Sequence, residues 1–204
     1  MLGGSNLWKM LQGKFYEPRE ENRIFMFLDL KDSTHHAETL GHIKYSRLIQ
    51  DCFNDLGVVI ENEAEIYQYV GDEVILTWKL KDGLRNQNCI NAFYSFKNTL
   101  LKKKAYYIET YNCLPVFKAG LNAGIVTVTE VGKYKKEIAY HGDTINTAAR
   151  IQGKCNAFDR EFLVSKNLKT KLEDNTVIFE RLGKISLKGK TKEVEIFAIK
   201  KRIH

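Results

Sequence analysis

The sequence predicts a mixed α+β fold, a sheet with helices packed on one face. Strand-like and helix-like segments follow in the order strand, helix, hairpin, helix, strand, which favours this class over a doubly wound parallel sheet. Of the 204 residues, 44% are hydrophobic, enough for one sizeable core. There is no internal repeat or low-complexity tract. We therefore expect a helix and linker over 1–21 and one domain over 22–204.

The first elements are a buried strand and a long helix. RIFMFLDL is apolar and rich in β-forming residues, so it predicts a core strand. Asp32, Ser33 or Thr34 can cap the helix that follows. The apolar residues of that helix approach helical spacing: Ala37, Leu40, Ile43, Leu48, Cys52 and Leu56.

The hairpin and the later elements complete the sheet. EIYQYVGDEVILTW has two β-rich arms around Gly71 and Asp72, which predicts a hairpin. A second core helix follows, with one apolar stripe of Cys89, Phe93, Phe96 and Leu100. VFKAGLNAGIVTVTEVG predicts a strand, EIAYHGDTINTAARIQGKC a short approach and a helix, and FLVSKNL, FERLGKISL and EVEIFAIKK later helix and strands.

Composition limits the class of protein. No apolar run reaches the ~20 residues of a membrane span, and the N-terminus lacks the apolar centre of a signal peptide, so we expect a soluble chain. Cys52, Cys89, Cys113 and Cys155 form no CxxC pair, which argues against zinc and fits a reducing cytoplasm. The net charge of +7 could attract a polyphosphate, a nucleic acid or an anionic membrane, although solvated lysines alone would explain it.

Two acids lie at the edges of β elements, 72 − 29 = 43 residues apart. Asp29 ends a core strand, where a carboxylate is costly unless it is paired. If Asp29 and Asp72 meet, they repel, and Mg²⁺ or Mn²⁺ carrying substrate phosphates would compensate them. Two such ions can activate a hydroxyl and steady a leaving phosphate. Alternatively, Asp29 caps a helix or meets a lysine, and Asp72 is only a turn residue.

The helix in GDTINTAARIQ has one polar face. Asn146 and Arg150 are four residues apart, so both project from the same side. The arginine could neutralise charge on a phosphoryl group in the transition state, and the asparagine could orient a sugar. Alternatively, Asp143 caps the helix and Arg150 is solvated. Lys188 could hold a terminal phosphate, although Lys-Gly-Lys is also an ordinary turn.

Five motifs in this order resemble the class III nucleotidyl cyclase catalytic domain, the family of adenylyl and guanylyl cyclases. FLDLKDST resembles the family's F-x-D-I-x-G-F-T, VGDEVILTW its G-D hairpin, and KAGLNAG its R-x-G-x-H-x-G. HGDTINTAAR resembles W-G-x-x-V-N-x-A-x-R, and LKGKT resembles V-K-G-x-x. The resemblance extends over residues 22–200. It implies a ferredoxin-like core with a mostly antiparallel sheet, in a head-to-tail homodimer with two active sites at the subunit interface.

The resemblance also implies site residues. Asp29 and Asp72 would bind two Mg²⁺ or Mn²⁺ ions, with the Leu30 carbonyl as a further ligand. Lys118 stands where the family usually has a phosphate-binding arginine, and the turn from Lys31 to Thr34 would present amides to phosphate. From the opposite subunit, three residues would act on the substrate: Asn146 on the ribose, Arg150 on the pentavalent phosphorus and Lys188 on the β and γ phosphates. The implied reaction is attack of the 3′-hydroxyl on the α-phosphorus.

The base-reading positions depart from the family. Adenylyl cyclases usually carry lysine and guanylyl cyclases glutamate where this chain has Gln68. At the second position, usually aspartate or threonine for adenine and cysteine for guanine, it has Ala139. Gln68 can donate and accept, whereas Ala139 offers no side-chain hydrogen bond. The base would therefore be read loosely, by the backbone, or with help from Tyr69 or Tyr140.

Our preferred hypothesis is a cyclase that makes cAMP from ATP, with GTP or a pyrimidine nucleotide still open. A catalytically silent nucleotide-binding dimerisation module is the alternative. A nucleic-acid-binding domain is disfavoured because the chain lacks an aromatic RNP-like motif. The N-terminal segment resembles a linker behind a membrane or sensor domain of a longer protein. Its Leu7, Trp8, Leu11 and Phe15 suit a helix that pairs with its symmetry mate or packs on the domain.

Overall fold

The computed structural model describes residues 17–172, 177–186 and 193–202. The strands are β1 Arg19–Leu30, β2 Glu65–Val70, β3 Glu73–Lys79, β4 Phe117–Val131, β5 Glu137–His141, β6 Phe162–Ser165, β7 Val177–Ile185 and β8 Val194–Lys201. The helices are α1 Ser33–Asp55, α2 Leu80–Leu84, α3 Asn88–Lys102, α4 Lys104–Tyr111, α5 Asp143–Gln152, α6 Cys155–Phe158 and α7 Lys166–Lys169. Two 3₁₀ helices, Leu56–Asn62 and Arg85–Gln87, join them.

The strands form one mostly antiparallel sheet, which confirms the predicted α+β class. Its order is β2-β3-β1-β4-β6-β8-β7, and β5 pairs with β4. The pairing of β4 with β6 is parallel. The central strand β1 lies between β3 and β4 and is buried without interruption from Arg23 to Leu28. A strand covered on both faces needs a continuous apolar run rather than an alternating one, and IFMFL, which follows the buried Arg23, supplies it.

The two faces of β1 are covered by different helices. Ile24, Met26 and Leu28 belong to the larger core, which also takes buried residues from α1, α3 and α4. Phe25 and Phe27 point to the other face and pack with β5 and α5. The predicted packing on one face therefore holds for α1, α3 and α4, while α5 lies on the opposite face. We call this second face the α5 face.

Two local predictions differ from the structure. β1 begins at Arg19, inside the segment 1–21 expected to be helix and linker. Helix α1 breaks at Gly41, where φ is 72° and ψ is 161°. This left-handed φ is accessible to glycine at little cost. The break rotates the predicted apolar stripe, so Ile43 is 75% exposed while Leu48 and Cys52 stay buried.

The predicted apolar stripe and the predicted hairpin are confirmed. The four apolar residues of the α3 stripe are buried. The hairpin of β2 and β3 closes through Gly71 and Asp72, with a φ of 62° at Gly71, as a two-residue turn with glycine first requires. Among the described residues, no helix is long and apolar enough to span a membrane. The predicted N-terminal helix residues and Lys188 lie outside the described residues.

Candidate functional site

The two acids singled out in the sequence lie on neighbouring strands. Asp29 of β1 pairs directly with Glu73 of β3, and Asp72 precedes Glu73 in the hairpin turn. The structure therefore brings the acids together and adds a third carboxylate that sequence analysis missed. The available signal was the position of Glu73 immediately after Asp72. Its register opposite Asp29 depends on strand pairing, which the sequence does not state.

The charges at this edge of the sheet are unbalanced. Burial raises the pKa of Asp29, the charge of Asp72 raises it further, and Lys118 and Gln152 oppose the shift. Burial and the charges of Asp29 and Asp72 raise the pKa of Glu73 to about 7. Lys118 Nζ lies 3.9 Å from Asp29 Oδ2, too far for a good hydrogen bond. One lysine therefore faces several carboxylates.

The same edge can accept a divalent cation. Asp72 Oδ2 is buried and has no hydrogen-bond partner among the described residues. Carboxylate oxygens are the ligands that Mg²⁺ prefers, usually one or two of them together with substrate phosphates. Within residues 17–172, 177–186 and 193–202, no group of three or more His, Cys, Asp or Glu side chains forms a metal site by itself. The residues thus fit ions that arrive with a phosphate-bearing substrate.

Leu30 and Lys118 flank Asp29. The Leu30 side chain is buried in the larger core, and the role of its carbonyl as a metal ligand stays a prediction. Lys118 is opposite Asp29 in register, so both lie on the α5 face. Its side chain is 8% exposed, and Nζ donates a hydrogen bond to Asn156 Oδ1 at 2.9 Å. The Lys118 ammonium is therefore near Asp29, where a phosphate is predicted to bind, and its hydrogen bond to Asn156 restrains it.

The turn after β1 supplies fewer amides than predicted. The Lys31 amide donates to the Val116 carbonyl at 2.8 Å, so the prediction that it is presented to phosphate is wrong. Asp32 precedes α1 with a φ of 56°, and within the described chain its side chain makes no capping hydrogen bond. Burial raises the pKa of the Tyr45 hydroxyl, and its interaction with Ser33 opposes the shift. The amides of Ser33 and Thr34, in the first turn of α1, remain as the predicted phosphate donors.

Helix α5 has one apolar face packed on the sheet and one polar face, as predicted. Ile145, Ala148 and Ala149 pack with Phe25 and Phe27 on the sheet. Asn146 is exposed and Arg150 is partly exposed. The residue at the N-cap is Gly142, with a φ of 140°, and Asp143 belongs to the first turn, so the alternative in which Asp143 caps the helix is wrong.

The C-terminal end of α5 reaches back to Asp29. Gln152 Nε2 donates to Asp29 Oδ2 at 3.1 Å. Successive helical residues are turned by about 100°, so Arg150 points about 200° away from Gln152. Arg150 therefore lies on the side of α5 opposite to its own chain's Asp29. Gln152 is a second site residue that sequence analysis missed, since nothing local to QGKC indicates a contact with a strand 123 residues earlier.

A β-bulge decides which hairpin residues share a face with Asp29. The register of β2 shifts between Ile66 and Gln68, so Gln68 pairs with Ile75 on the α5 face. Tyr69 pairs with Val74, which belongs to the larger core on the other face. There the Tyr69 ring packs on Phe53, with 4.6 Å between centroids. The help from Tyr69 in reading a base stays a prediction, and this packing of its ring on the other face argues against it.

The second base-reading position lies on β5. Ala139 pairs with Thr129 of β4 and is partly exposed. Tyr140 points the other way, into the core of the α5 face, because neighbours on a strand alternate. Its ring meets Tyr67 edge-on at 5.0 Å, and the buried Arg23 guanidinium lies 4.8 Å from its centroid. The Tyr140 side chain, which is 6% exposed, thus packs on the face of β5 opposite to the side chain of Ala139.

Comparisons of sequence identify the family of this chain. The model of the adenylate and guanylate cyclase catalytic domain matches residues 15–201. Adenylate cyclase 2 of Rhizobium meliloti (strain 1021) is 28% identical over 201 residues, which is 98% of this chain and 55% of that protein. Adenylate cyclase 1 of the same organism is 24% identical over 186 residues, 85% of this chain and 27% of that protein. The chain thus spans about half and about a quarter of these two relatives.

Solved structures share the fold. A bacterial light-regulated adenylyl cyclase superposes with a TM-score of 0.81 at 18% identity, over 97% of this chain and 58% of that one. The adenylyl cyclase CyaB from P. aeruginosa gives 0.76 at 20% identity, over 92% and 97%. The guanylyl cyclase Cya2 gives 0.74 at 16% identity, over 91% and 93%. These identities establish a common architecture, and the chemistry depends on the residues described above.

Proposed function

The chain belongs to the adenylate and guanylate cyclase catalytic domain family, and on this premise we propose that it is a nucleotidyl cyclase, a phosphorus–oxygen lyase. Its substrate is a nucleoside triphosphate, with ATP preferred, and its products are the 3′,5′-cyclic monophosphate and pyrophosphate. The observation that carries the proposal is the carboxylate pair of Asp29 and Asp72 on adjacent β segments, where Asp72 Oδ2 has no partner in the described chain. We place the reaction in the cytoplasm, where it serves second-messenger signalling.

Asp29 and Asp72, with the Leu30 carbonyl, would hold two Mg²⁺ or Mn²⁺ ions per site. When bound, such ions neutralise phosphate charge and favour the ionised form of the attacking hydroxyl. The raised pKa of Asp29 reflects burial and the charge of Asp72, which a cation would relieve. The amides of Ser33 and Thr34 and the Lys118 ammonium offer positive charge to the triphosphate near these acids.

The reaction forms one bond and breaks one. The 3′-hydroxyl oxygen bonds to the α-phosphorus, the bond from this phosphorus to the bridging oxygen breaks, and pyrophosphate leaves with that electron pair while the hydroxyl proton passes to solvent. Asn146 orients the ribose, and Arg150 stabilises the charge at phosphorus in the transition state. Lys188, outside the described residues, holds the β and γ phosphates in this scheme.

Asn146 and Arg150 act on the site of the other subunit in a homodimer. The support is geometric, since Arg150 and Gln152 point to opposite sides of α5 and Gln152 contacts its own chain's Asp29. An arginine on the far side of the helix cannot readily serve the acids on the near side. Pairing two chains head to tail would then complete two equivalent sites.

The base preference rests on few contacts. Gln68 is exposed on the α5 face and can both donate and accept, so it suits adenine and also guanine. Ala139 supplies no side-chain hydrogen bond. The names of the curated relatives, both adenylate cyclases, support ATP as the preferred substrate. Activity with GTP, CTP or UTP is expected to be weaker but measurable.

One assay tests the proposal. The chain is incubated separately with ATP, GTP, CTP and UTP, in Mg²⁺ and in Mn²⁺, and the products are separated by chromatography. Cyclic AMP as the main product supports the proposal, and another cyclic nucleotide as the main product corrects the base preference. Nucleotide binding without any cyclic product would overturn it in favour of a silent dimerisation module.

Mixing Asp72→Ala with Arg150→Ala should restore one active site per dimer, and no recovery would contradict shared sites.

A further inference from the structure

Gln152 makes a contact that none of the proposed catalytic roles uses. It is the last residue of α5, it is 7% exposed, and its side chain reaches Asp29 on β1. Its Nε2 donates to Asp29 Oδ2 at 3.1 Å. A carboxylate can only accept hydrogen bonds, so the amide must present its NH₂ group here, and no other orientation of Gln152 would satisfy the pair.

Two glycines on β4 set the position of this contact. A Cβ on Gly120 would lie 2.3 Å from the Gln152 backbone nitrogen, and a Cβ on Gly124 would lie 2.5 Å from Thr144 Oγ1. Four residues of strand span about 13 Å, and the eight residues from Thr144 to Gln152 span about 12 Å of helix. Helix α5 therefore lies flat and antiparallel on β4, with Gln152 against the strand beside Asp29.

A second side-chain amide, that of Asn156 four residues after Gln152, binds the Lys118 ammonium next to Asp29. Lys118 Nζ donates to Asn156 Oδ1 at 2.9 Å and stays 3.9 Å from Asp29 Oδ2. An ammonium has no acceptor, so Asn156 must turn its oxygen toward Lys118. The segment from Gln152 to Asn156 thus binds the carboxylate directly and holds the lysine away from a close ion pair.

An uncharged hydrogen-bond donor such as the Gln152 amide can orient a metal-binding carboxylate. The Gln152 amide fixes the direction of the Asp29 carboxylate without cancelling its charge, whereas a closer lysine would neutralise it. Groups that orient metal ligands commonly change metal affinity by ~10- to 100-fold when they are removed. Nothing in the motif that carries Asn146 and Arg150 requires this contact, because those two residues share one side of α5 and Gln152 projects from another.

We propose that Gln152 is a positioning residue, which orients Asp29 for the divalent cations of its own subunit while Asn146 and Arg150 serve the site of the other subunit. One helix then contributes to both active sites of the dimer, on one side through the metal-binding acid and on the other through the transition-state arginine. This inference rests on the proposed function, but its first test needs no turnover.

The first test measures cation binding directly. Mn²⁺ is titrated into the chain in the presence of a non-cyclisable ATP analogue, and free Mn²⁺ is followed by electron paramagnetic resonance. Gln152→Met keeps the length of the side chain and removes the donor, so it should weaken Mn²⁺ binding about tenfold. Gln50→Met, on an exposed position of α1, is the matched control and should bind as the wild type does. Equal Mn²⁺ affinity of Gln152→Met and wild type would overturn the inference.

Folding is checked separately, since Gln152 is buried. Thermal unfolding of each variant is recorded, and Gln152→Leu provides a second apolar substitution if the first does not fold. Gln152→His, which retains a donor, should recover part of the Mn²⁺ affinity. An equal loss in Gln152→His and Gln152→Met would mean that packing rather than the hydrogen bond matters, and would count against a positioning role.

The second test locates the effect in the dimer. In a mixture of Asp72→Ala and Arg150→Ala chains, the working site takes its acids from the Arg150→Ala chain and its arginine from the Asp72→Ala chain. Gln152→Met is added to one chain or the other. The larger loss of activity, and the higher Mn²⁺ concentration for half-maximal rate, should appear when it is on the Arg150→Ala chain. The opposite result, or equal losses, would overturn the inference.

Absence of activity in every mixture would count against the proposed function, and the Mn²⁺ titration would still decide the role of Gln152.

Discussion

Asp29 and Glu73 face each other across the ladder between β1 and β3, with Asp72 in the adjoining turn. Like charges in direct cross-strand pairs destabilise a sheet. Burial raises the pKa of both carboxyls; the charge of Asp72 raises that of Asp29 further, and the charges of Asp29 and Asp72 raise that of Glu73. Three acids at one edge of a sheet are therefore a cost to the fold, and a bound cation with its substrate would relieve it.

Asp72→Asn should separate activity from stability. The change removes one charge from the acidic edge, so we expect cyclase activity to fall ~100-fold or more because metal stabilisation is worth several kcal/mol. The free energy of unfolding should stay constant or rise, since repulsion with Asp29 is lost. Product chromatography and urea unfolding measure the two quantities. Asp159→Asn, at an exposed position, is the control, and a large loss of stability in Asp72→Asn would contradict the expectation.

Gly120→Ala should destabilise the packing of α5 on the sheet. The new Cβ would lie 2.3 Å from the backbone nitrogen of Gln152, and a backbone atom cannot step aside as a flexible side chain can. We expect a loss of about 1–3 kcal/mol in the free energy of unfolding, measured by urea denaturation. Gly57→Ala, where nothing lies within 4 Å of the added carbon, should leave stability nearly unchanged. Equal losses in the two variants would disprove this account of α5.

The buried Arg23 makes stability depend on pH through Glu21. Burial alone would raise the pKa of Glu21, but hydrogen bonds and charge from Arg23 and Arg19 more than offset this, and the pKa is lowered. A carboxyl whose pKa is lower in the folded state stabilises the fold above its unfolded pKa, and the contribution disappears as pH falls through the folded value. Glu21→Gln should therefore cost roughly 1–3 kcal/mol at pH 7.

Urea unfolding at pH 7 and in the acid range below pH 4 tests this linkage. The difference between wild type and Glu21→Gln should shrink as pH falls, because the wild-type carboxyl also becomes neutral. Glu20→Gln is a useful control, since Glu20 is the exposed neighbour of Glu21. A difference that stays constant with pH would show that the Arg23 ion pair is not its source.

Base preference should depend on Gln68 and not on Tyr69. Gln68 shares the α5 face with Asp29, whereas the Tyr69 ring packs on Phe53 on the other face. Removing one hydrogen-bonding group costs about 0.5–1.5 kcal/mol, so Gln68→Ala should change the ratio of kcat/KM for ATP and GTP about 2- to 13-fold. Tyr69→Phe should leave this ratio unchanged. A shift of similar size in Tyr69→Phe would mean that its hydroxyl reaches the base.

Local patterns in the sequence were sufficient for several elements of the site. The continuous apolar run of β1, the Gly71-Asp72 turn and the two-faced α5 each depend on neighbours within a few residues. Such patterns fix the period, the turn type and the polar face of an element. They placed Asp29 and Asp72 at strand edges and Asn146 with Arg150 on one side of a helix, and the resemblance to the cyclase family implied their roles.

Tertiary structure alone decided how these elements meet. The pairing of Glu73 with Asp29 follows from strand register, and the bulge after Ile66 turns Gln68 toward Asp29 and Tyr69 away from it. The contact of Gln152 with Asp29 joins residues 123 positions apart. A one-residue shift of register exchanges the faces of a strand at almost no change in local preference. Local sequence therefore specified the elements that hold the candidate side chains, while long-range packing determined which of these side chains lie close together.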